Sequence, residues 1–252
     1  YKPTRVEGGT LVNEYDGWGN ILYKVHLSNG AHLTGRKMEA GNNSYYNGSD
    51  TAQYSGSFLW QTGTEESLVD FDEIRLGTST DATVNPVQLK FICDGPLTVA
   101  SPLTAKEASQ IRVNSPEMFG FLKKGADKLT LSSDKTAAPT AALILQAGTV
   151  AFPSTAKATF GALVVKGDST LDIADGAAVS FAASASASWG GRLTLARAPK
   201  VGDVRIGTDA NGLSSAQLAA ISIQGDPTAV LVVDDDGYLF RLAGATAKTF
   251  EK

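Results

Sequence analysis

The chain has 252 residues, 42% of them apolar and 19% charged, with a net charge of −4 and a pI near 5.2. This is a globular composition, and it lacks the concentrated positive surface that phosphate backbones require, so nucleic acid is excluded as a partner. A single cysteine, Cys93, rules out an internal disulfide and, beside only two histidines, makes no metal set. No cofactor is implied.

Residues 1–120 hold two of the three tryptophans and six of the seven tyrosines, among turns such as Asn29-Gly30, Asn47-Gly48 and Gly56-Ser57. Gly and Asn tolerate the positive φ that such turns need. Alternation of apolar and polar residues predicts strands at 10–12, 21–27, 31–34, 57–60, 74–76, 87–93, 97–99 and 111–113. Cys93 falls in one of them, as a small packed residue. No apolar run reaches the length that crosses a membrane, the longest spanning four or five residues, as at 141–145. The chain begins at Tyr1 without a basic and apolar leader, as a mature chain freed of a signal peptide or an expressed fragment would.

From 121 onward the texture changes to Ala, Ser and Thr, and a pattern returns at a nearly fixed interval. The tetrapeptides KLTL (128–131), TVAF (149–152), TLDI (170–173) and RLTL (192–195) share an aliphatic residue, a small or polar one and a large apolar one. Their first aliphatic residues, Leu129, Val150, Leu171 and Leu193, step by 21, 21 and 22 residues. A period near twenty with period-2 alternation inside each unit predicts a parallel β-helix, one backbone coil per repeat, with those four side chains in one internal column. Further strands are expected at 143–145, 163–165, 179–181 and 204–206. The uncharged stretches 137–156 and 176–191 are read as closely packed coils rather than linkers.

A short helix is predicted over 214–221, where Ser214 and Gln217 match a capping box, and it is placed as a cap on an open end of the solenoid. Strands at 229–233 and 238–242 flank Asp234-Asp235-Asp236-Gly237, which lacks the alternating ligand spacing of a calcium loop and reads as a polar turn. Two parts result: 1–120, an irregular, aromatic- and loop-rich N-terminal part of the solenoid, and 121–252, a regular repeat part with its C-terminal cap.

Residues 119–242 resemble the autotransporter-associated β-strand repeat family of bacterial surface and secreted proteins. The resemblance lies in Leu122-Lys123-Lys124-Gly125-Ala126-Asp127-Lys128-Leu129-Thr130-Leu131-Ser132, followed by Leu143-Ile144-Leu145-Gln146-Ala147-Gly148-Thr149-Val150. The C-terminal run from Ala187 to Ile221, closed by Asp236-Gly237-Tyr238, is similar to the end such proteins share. Asp127 stands where the family has its second glycine. The resemblance implies an all-β, right-handed parallel β-helix in an exported bacterial protein, extracellular or on the outer surface, and it implies no catalytic residues.

Signatures of a nucleophile elbow, a His-Glu-x-x-His zinc site, a phosphate loop and a pepsin-like aspartic protease are all absent. Because β-helices often act on polysaccharides, the acids Glu65, Glu66, Asp70, Asp72 and Glu73 are notable. On a strand, Asp70 and Asp72 share one face at about 7 Å, within the separation of an inverting glycosidase pair; Arg75 is near enough in sequence to neutralise one of them. The ligand-binding candidates are the aromatics Tyr15, Trp18, Tyr45, Tyr46, Tyr54 and Trp60, since sugars stack on such rings. The expected function is adhesion or extracellular binding with glycans or glycoproteins as partners. The alternative is a hydrolase of extracellular glycan or mucin-type glycoprotein built on Asp70 and Asp72.

Overall fold

The computed structural model describes residues 4–14, 24–40, 57–77, 81–82 and 86–246. They form a parallel β-helix: twenty strands join one continuous parallel system that wraps the chain into stacked coils with three faces.

Face 1 carries Thr4–Glu7, Lys24–Ser28, Ser57–Thr62, Val87–Asp94, Phe119–Lys124, Ala142–Leu145 and residues 163–165 of Lys157–Val165, each hydrogen-bonded to the next. Face 2 carries Thr10–Asn13, residues 32–35 and 67–69 of the long strands His32–Ala40 and Ser67–Leu76, then Leu97–Val99, Lys128–Leu131, Gly148–Phe152, Ser169–Ile173, Leu193–Leu195 and Ile221–Ile223. Face 3 takes the second halves of those two long strands, then Leu103–Ala105, Thr136–Ala138, residues 157–160, Ala178–Ala182 and Val204–Ile206. A small parallel pair, Asp81–Ala82 with Arg112–Val113, lies outside the stack. The ladder passes residue 120 without a break; what changes there is coil length, since Leu33 faces Val69 and Val99 faces Leu131, whereas Leu129 faces Val150.

The predicted column needs one correction. Leu129, Val150 and Leu171 stand in register, but Leu171 faces Leu195, and Leu193 faces Ser169. All five aliphatic side chains are buried on the inner side of face 2, so this coil is longer than the two before it while keeping its facing. The extra length belongs to the segment 183–191, which replaces a face 1 strand. There the Leu163 N–H donates to Ser184 Oγ (2.9 Å), Trp189 Nε1 donates to the Leu163 carbonyl (3.1 Å), and Gly190 N–H donates to the Val165 carbonyl (2.8 Å). Side chains thus satisfy a sheet edge that would otherwise be open.

Inside, leucines, valines and a set of phenylalanines fill the bore. Phe160 sits at the centre, with Phe121 and Phe152 edge-on at 6.1 and 6.4 Å and Phe181 stacked at 6.0 Å. Face 1 is apolar on its outer side as well: Leu122, Ala142, Ile144, Ala162, Val164 and Ala187 form a second buried cluster against which Trp189 packs. This explains the unbroken apolar run 142–145, which a strand covered on both sides requires.

The turn between faces 1 and 2 is tight. A Cβ on Gly125 (φ +79°) would collide with the Cys93 carbonyl of the coil before it. Lys123, fully buried beside this corner, donates from Nζ to the carbonyls of Lys124 (3.0 Å), Gly125 (2.8 Å) and Ala147 (3.0 Å), and burial lowers its pKa.

The helix is shorter than predicted, Ser215–Ala219, because Ile221 begins a strand. Its capping box is present: Ser214 Oγ accepts from Gln217 N–H, and Gln217 Oε1 accepts from Ser214 N–H. The C-terminal strands Ala229–Val233 and Leu239–Thr246 pair antiparallel as a hairpin that buries Leu231, Val233 and Leu239 against the core. Among the described residues no helix is long and apolar enough to cross a membrane.

Candidate functional site

Alternation along Ser67–Leu76 sends Ser67, Val69 and Phe71 inward and leaves Asp70 and Asp72 exposed on the same outer side. The chain then turns from face 2 to face 3, and Ile74 and Leu76 point inward. That turn separates the five acids. Glu66 precedes face 2 and accepts from Thr98 Oγ1 (2.6 Å), and Glu73 begins face 3 and accepts from Thr104 Oγ1 (2.6 Å). Arg75 does not neutralise either aspartate. It lies on face 3 and pairs with Glu39 of the neighbouring strand at 3.0 Å. Asp70 lies opposite Thr34, whose hydroxyl donates to the Asp70 carbonyl (2.7 Å). Neither the Asp70 nor the Asp72 carboxylate forms an ion pair among the described residues. They form an open, solvent-facing pair on a sheet surface.

Tyr15, Trp18, Tyr45, Tyr46 and Tyr54 lie outside the described residues. Trp60 is on the outer side of face 1, half-buried, with Nε1 donating to Asp94 Oδ2 (2.9 Å). Its ring stacks on His26 in the preceding coil at 4.6 Å and 24°. His26 Nε2 lies 2.8 Å from Thr62 Oγ1, and burial, aided by Arg5, lowers the His26 pKa. Trp60 therefore has its ring partly committed to packing. His26 and His32 sit on successive strands of one coil, on either side of a corner.

Two polar clusters hold the C-terminal coils. Asp175 accepts from Lys200 Nζ (2.7 Å) and pairs with Arg197, which also reaches Asp203 at 2.8 Å. The Lys200 hydrogen bond is the main cause of a lowered Asp175 pKa. This clasp closes a shallow groove between Leu171, Ile173, Leu195 and Val204. The Asp234–Gly237 segment is the expected polar turn: Asp234 Oδ1 accepts from the N–H groups of Asp236 and Tyr238. No group of three or more His, Cys, Asp or Glu that could hold a metal ion occurs among the described residues.

Sequence reasoning missed a row of hydroxyls on the outer side of face 2. Thr149, Thr170, Thr194 and Ser222 follow one another in register, with Lys128 before them, each partly exposed apart from the exposed lysine. Stacked strands repeat at about 4.8 Å, so the row offers donors and acceptors at near-constant spacing. Thr194 Oγ1 and Ser222 Oγ lie 3.4 Å apart. The signal was present in TVAF and TLDI, where Thr precedes the aliphatic residue, and the two-residue shift hid its continuation in RLTL. No family model, no curated protein and no solved structure matches this chain.

Proposed function

We propose that this is an exported bacterial surface or secreted protein whose β-helix presents an extended face for adhesion, with glycans or glycoproteins as ligands. The observation that carries the reading is the in-register row Thr149, Thr170, Thr194 and Ser222 on a sheet face held rigid from within by the buried core. Hydroxyls both donate and accept, as sugar hydroxyls do, and a row with the spacing of a sheet suits a long, repetitive ligand better than a small molecule. The resemblance of residues 119–242 to autotransporter-associated repeats supports the export and surface parts of the proposal.

Binding to immobilised mucin-type and plant polysaccharides tests it. The triple variant Thr149→Val, Thr170→Val, Thr194→Val keeps side-chain shape and removes three hydroxyls. At about 1 kcal/mol for each hydrogen bond lost, affinity is expected to fall by tenfold or more while the thermal midpoint holds. Unchanged affinity in this variant would remove the row from the interface. Release of reducing ends by the wild type that disappears in Asp70→Asn and Asp72→Asn would replace adhesion with glycan hydrolysis. Labelling of the protein on intact producing cells by a membrane-impermeant reagent tests its location.

A further inference from the structure

The hydroxyl row on the outer side of face 2 has a second row beside it. Two residues on from Lys128, Thr149, Thr170 and Thr194 along each strand come Thr130, Ala151, Asp172 and Ala196, again in register from coil to coil. Strand alternation keeps both rows on the same outer side. Ala151 is 7% exposed, and at Ala196 too the side chain ends at Cβ. The second row is therefore a low floor of methyl groups alongside a ridge of hydroxyls, and Asp172 is the charged side chain that rises from it. Asp172 is partly exposed and forms no ion pair among the described residues. Lys128 stands two coils back, at the start of the ridge.

Spacing and charge together narrow the ligand. Strands in a sheet lie about 4.8 Å apart. A pyranose linked through equatorial oxygens at opposite ends of its ring, as in β-1,4-linked chains, advances the chain by nearly the same length and keeps it extended. Laid along the stack and across the strands, such a chain meets a new coil with each new sugar. Successive ring edges then fall beside Thr149, Thr170, Thr194 and Ser222. An α-1,4-linked chain curls away from a straight row. The ionised carboxylate of Asp172 only accepts hydrogen bonds, so it suits a pair of sugar hydroxyls and repels a uronate or sulfate placed on the row. The net charge of −4 acts in the same direction.

We propose that this two-row strip binds an uncharged, extended, β-1,4-linked polysaccharide that runs along the solenoid axis with one sugar per coil. The inference rests on the reading of the hydroxyl row as a glycan-binding surface, and adds to it the direction, linkage and charge of the ligand. Four successive coils carry the ridge hydroxyls Thr149, Thr170, Thr194 and Ser222, so four sugars fill it.

Isothermal titration calorimetry with β-1,4-linked glucose oligomers of two to six sugars tests this. Affinity should rise about three- to fivefold with each sugar up to the fourth, as each adds a hydrogen-bonded contact, and level off beyond it. An α-1,4-linked glucose hexamer and a β-1,4-linked mannuronate hexamer should each lose about tenfold or more in affinity relative to the β-1,4-linked glucose hexamer. Asp172→Asn should weaken the glucose hexamer severalfold and narrow the gap to the mannuronate hexamer, a change that general loss of structure does not produce. Ala151→Leu, which raises the floor, should also weaken the glucose hexamer, with circular dichroism and the thermal midpoint establishing that both variants are folded. No binding of the β-1,4-linked glucose oligomers, affinity indifferent to chain length, a preference for the α-linked or the mannuronate hexamer, or unchanged binding by Asp172→Asn would each overturn the inference and leave the row open to another glycan. Failure of the broader reading looks different: there the Thr149→Val, Thr170→Val, Thr194→Val variant keeps full affinity for every glycan bound.

Discussion

Gly125 and Gly9 separate two reasons for glycine at single positions. Both have positive φ, but a Cβ on Gly9 meets nothing within 4 Å, whereas one on Gly125 strikes the Cys93 carbonyl. Gly9→Ala carries only the left-handed backbone cost, about 1 kcal/mol. Gly125→Ala adds overpacking against an immovable backbone, for a total of about 2–4 kcal/mol. Thermal midpoints should therefore fall by roughly 2–4 °C and 5–15 °C, respectively, and equal shifts would show that the corner relaxes. Buried ionisable groups set the alkaline behaviour. Desolvation, with repulsion from Lys124 and Lys24, pushes the Lys90 pKa down to about 8. Between pH 8 and 10.5 the unfolded chain binds more protons at this site than the folded one, so stability rises with pH, and below pH 8 the penalty is present in full. Lys123, lowered by burial, acts with the same sign. Cys93, pushed up to about 12 by burial, opposes them above its ordinary 9.0, because the unfolded chain then loses its proton first. The urea midpoint should climb from pH 8 to 9 and more gently beyond, where Cys93 offsets one of the two lysines. Lys90→Met should reduce the climb, and Cys93→Ala should keep it steep past pH 9; a midpoint that falls between pH 8 and 9 contradicts the assignment.

Gln217 shows how one side chain can hold an element in place. It is buried, and its Nε2 donates to the Ser184 (2.9 Å) and Ala187 (2.8 Å) carbonyls, tying the short helix to the segment that covers the face 1 edge. Gln217→Ala leaves the Ala187 carbonyl without its donor and the Ser184 carbonyl with only the Ala187 N–H (2.9 Å), and it removes half the capping box, for a loss of about 2–4 kcal/mol. By hydrogen exchange, residues 183–223 should lose protection while Val87–Asp94 and Phe119–Lys124 keep theirs; uniform loss would argue against a latch. The capping box was legible in sequence because it is local, spanning Ser214 to Gln217. The Leu171 to Leu195 register was not. RLTL offers two inward leucines, and a two-residue slip leaves every side chain on its original face, so alternation cannot choose between Leu193 and Leu195. What decides is the hydrogen bonding of Ser184 and Trp189 to Leu163, a contact between coils that no local pattern reports. Alternation alone places Asp70 and Asp72 on one face of a strand, whereas Arg75 lies away from them because the strand bends after Phe71. That bend depends on the three-faced cross-section of the coil.

At the scale of the whole molecule each coil touches only the coils above and below it, so stability is a sum of coil terms and nearest-neighbour interfaces. Phe160 belongs to the coil that joins the two halves of the bore, touching Phe121 and Phe152 behind it and Phe181 ahead. Truncating a buried phenylalanine typically costs 3–5 kcal/mol, here concentrated at a single link of the chain of coils. Phe160→Ala should therefore divide one denaturation transition into two. Hydrogen exchange in increasing urea should release Ser169–Ile173, Leu193–Leu195 and Val204–Ile206 first, with Val87–Asp94 and Phe119–Lys124 following at higher urea. Leu239→Ala, equally buried but in the terminal hairpin, should loosen Ala229–Val233 and leave the main transition single. The contrast depends on position along the stack rather than on the size of the deletion. If Phe160→Ala unfolds every coil together, the coupling between neighbouring coils is stronger than the internal stability of any one of them, and the stack behaves as one cooperative body.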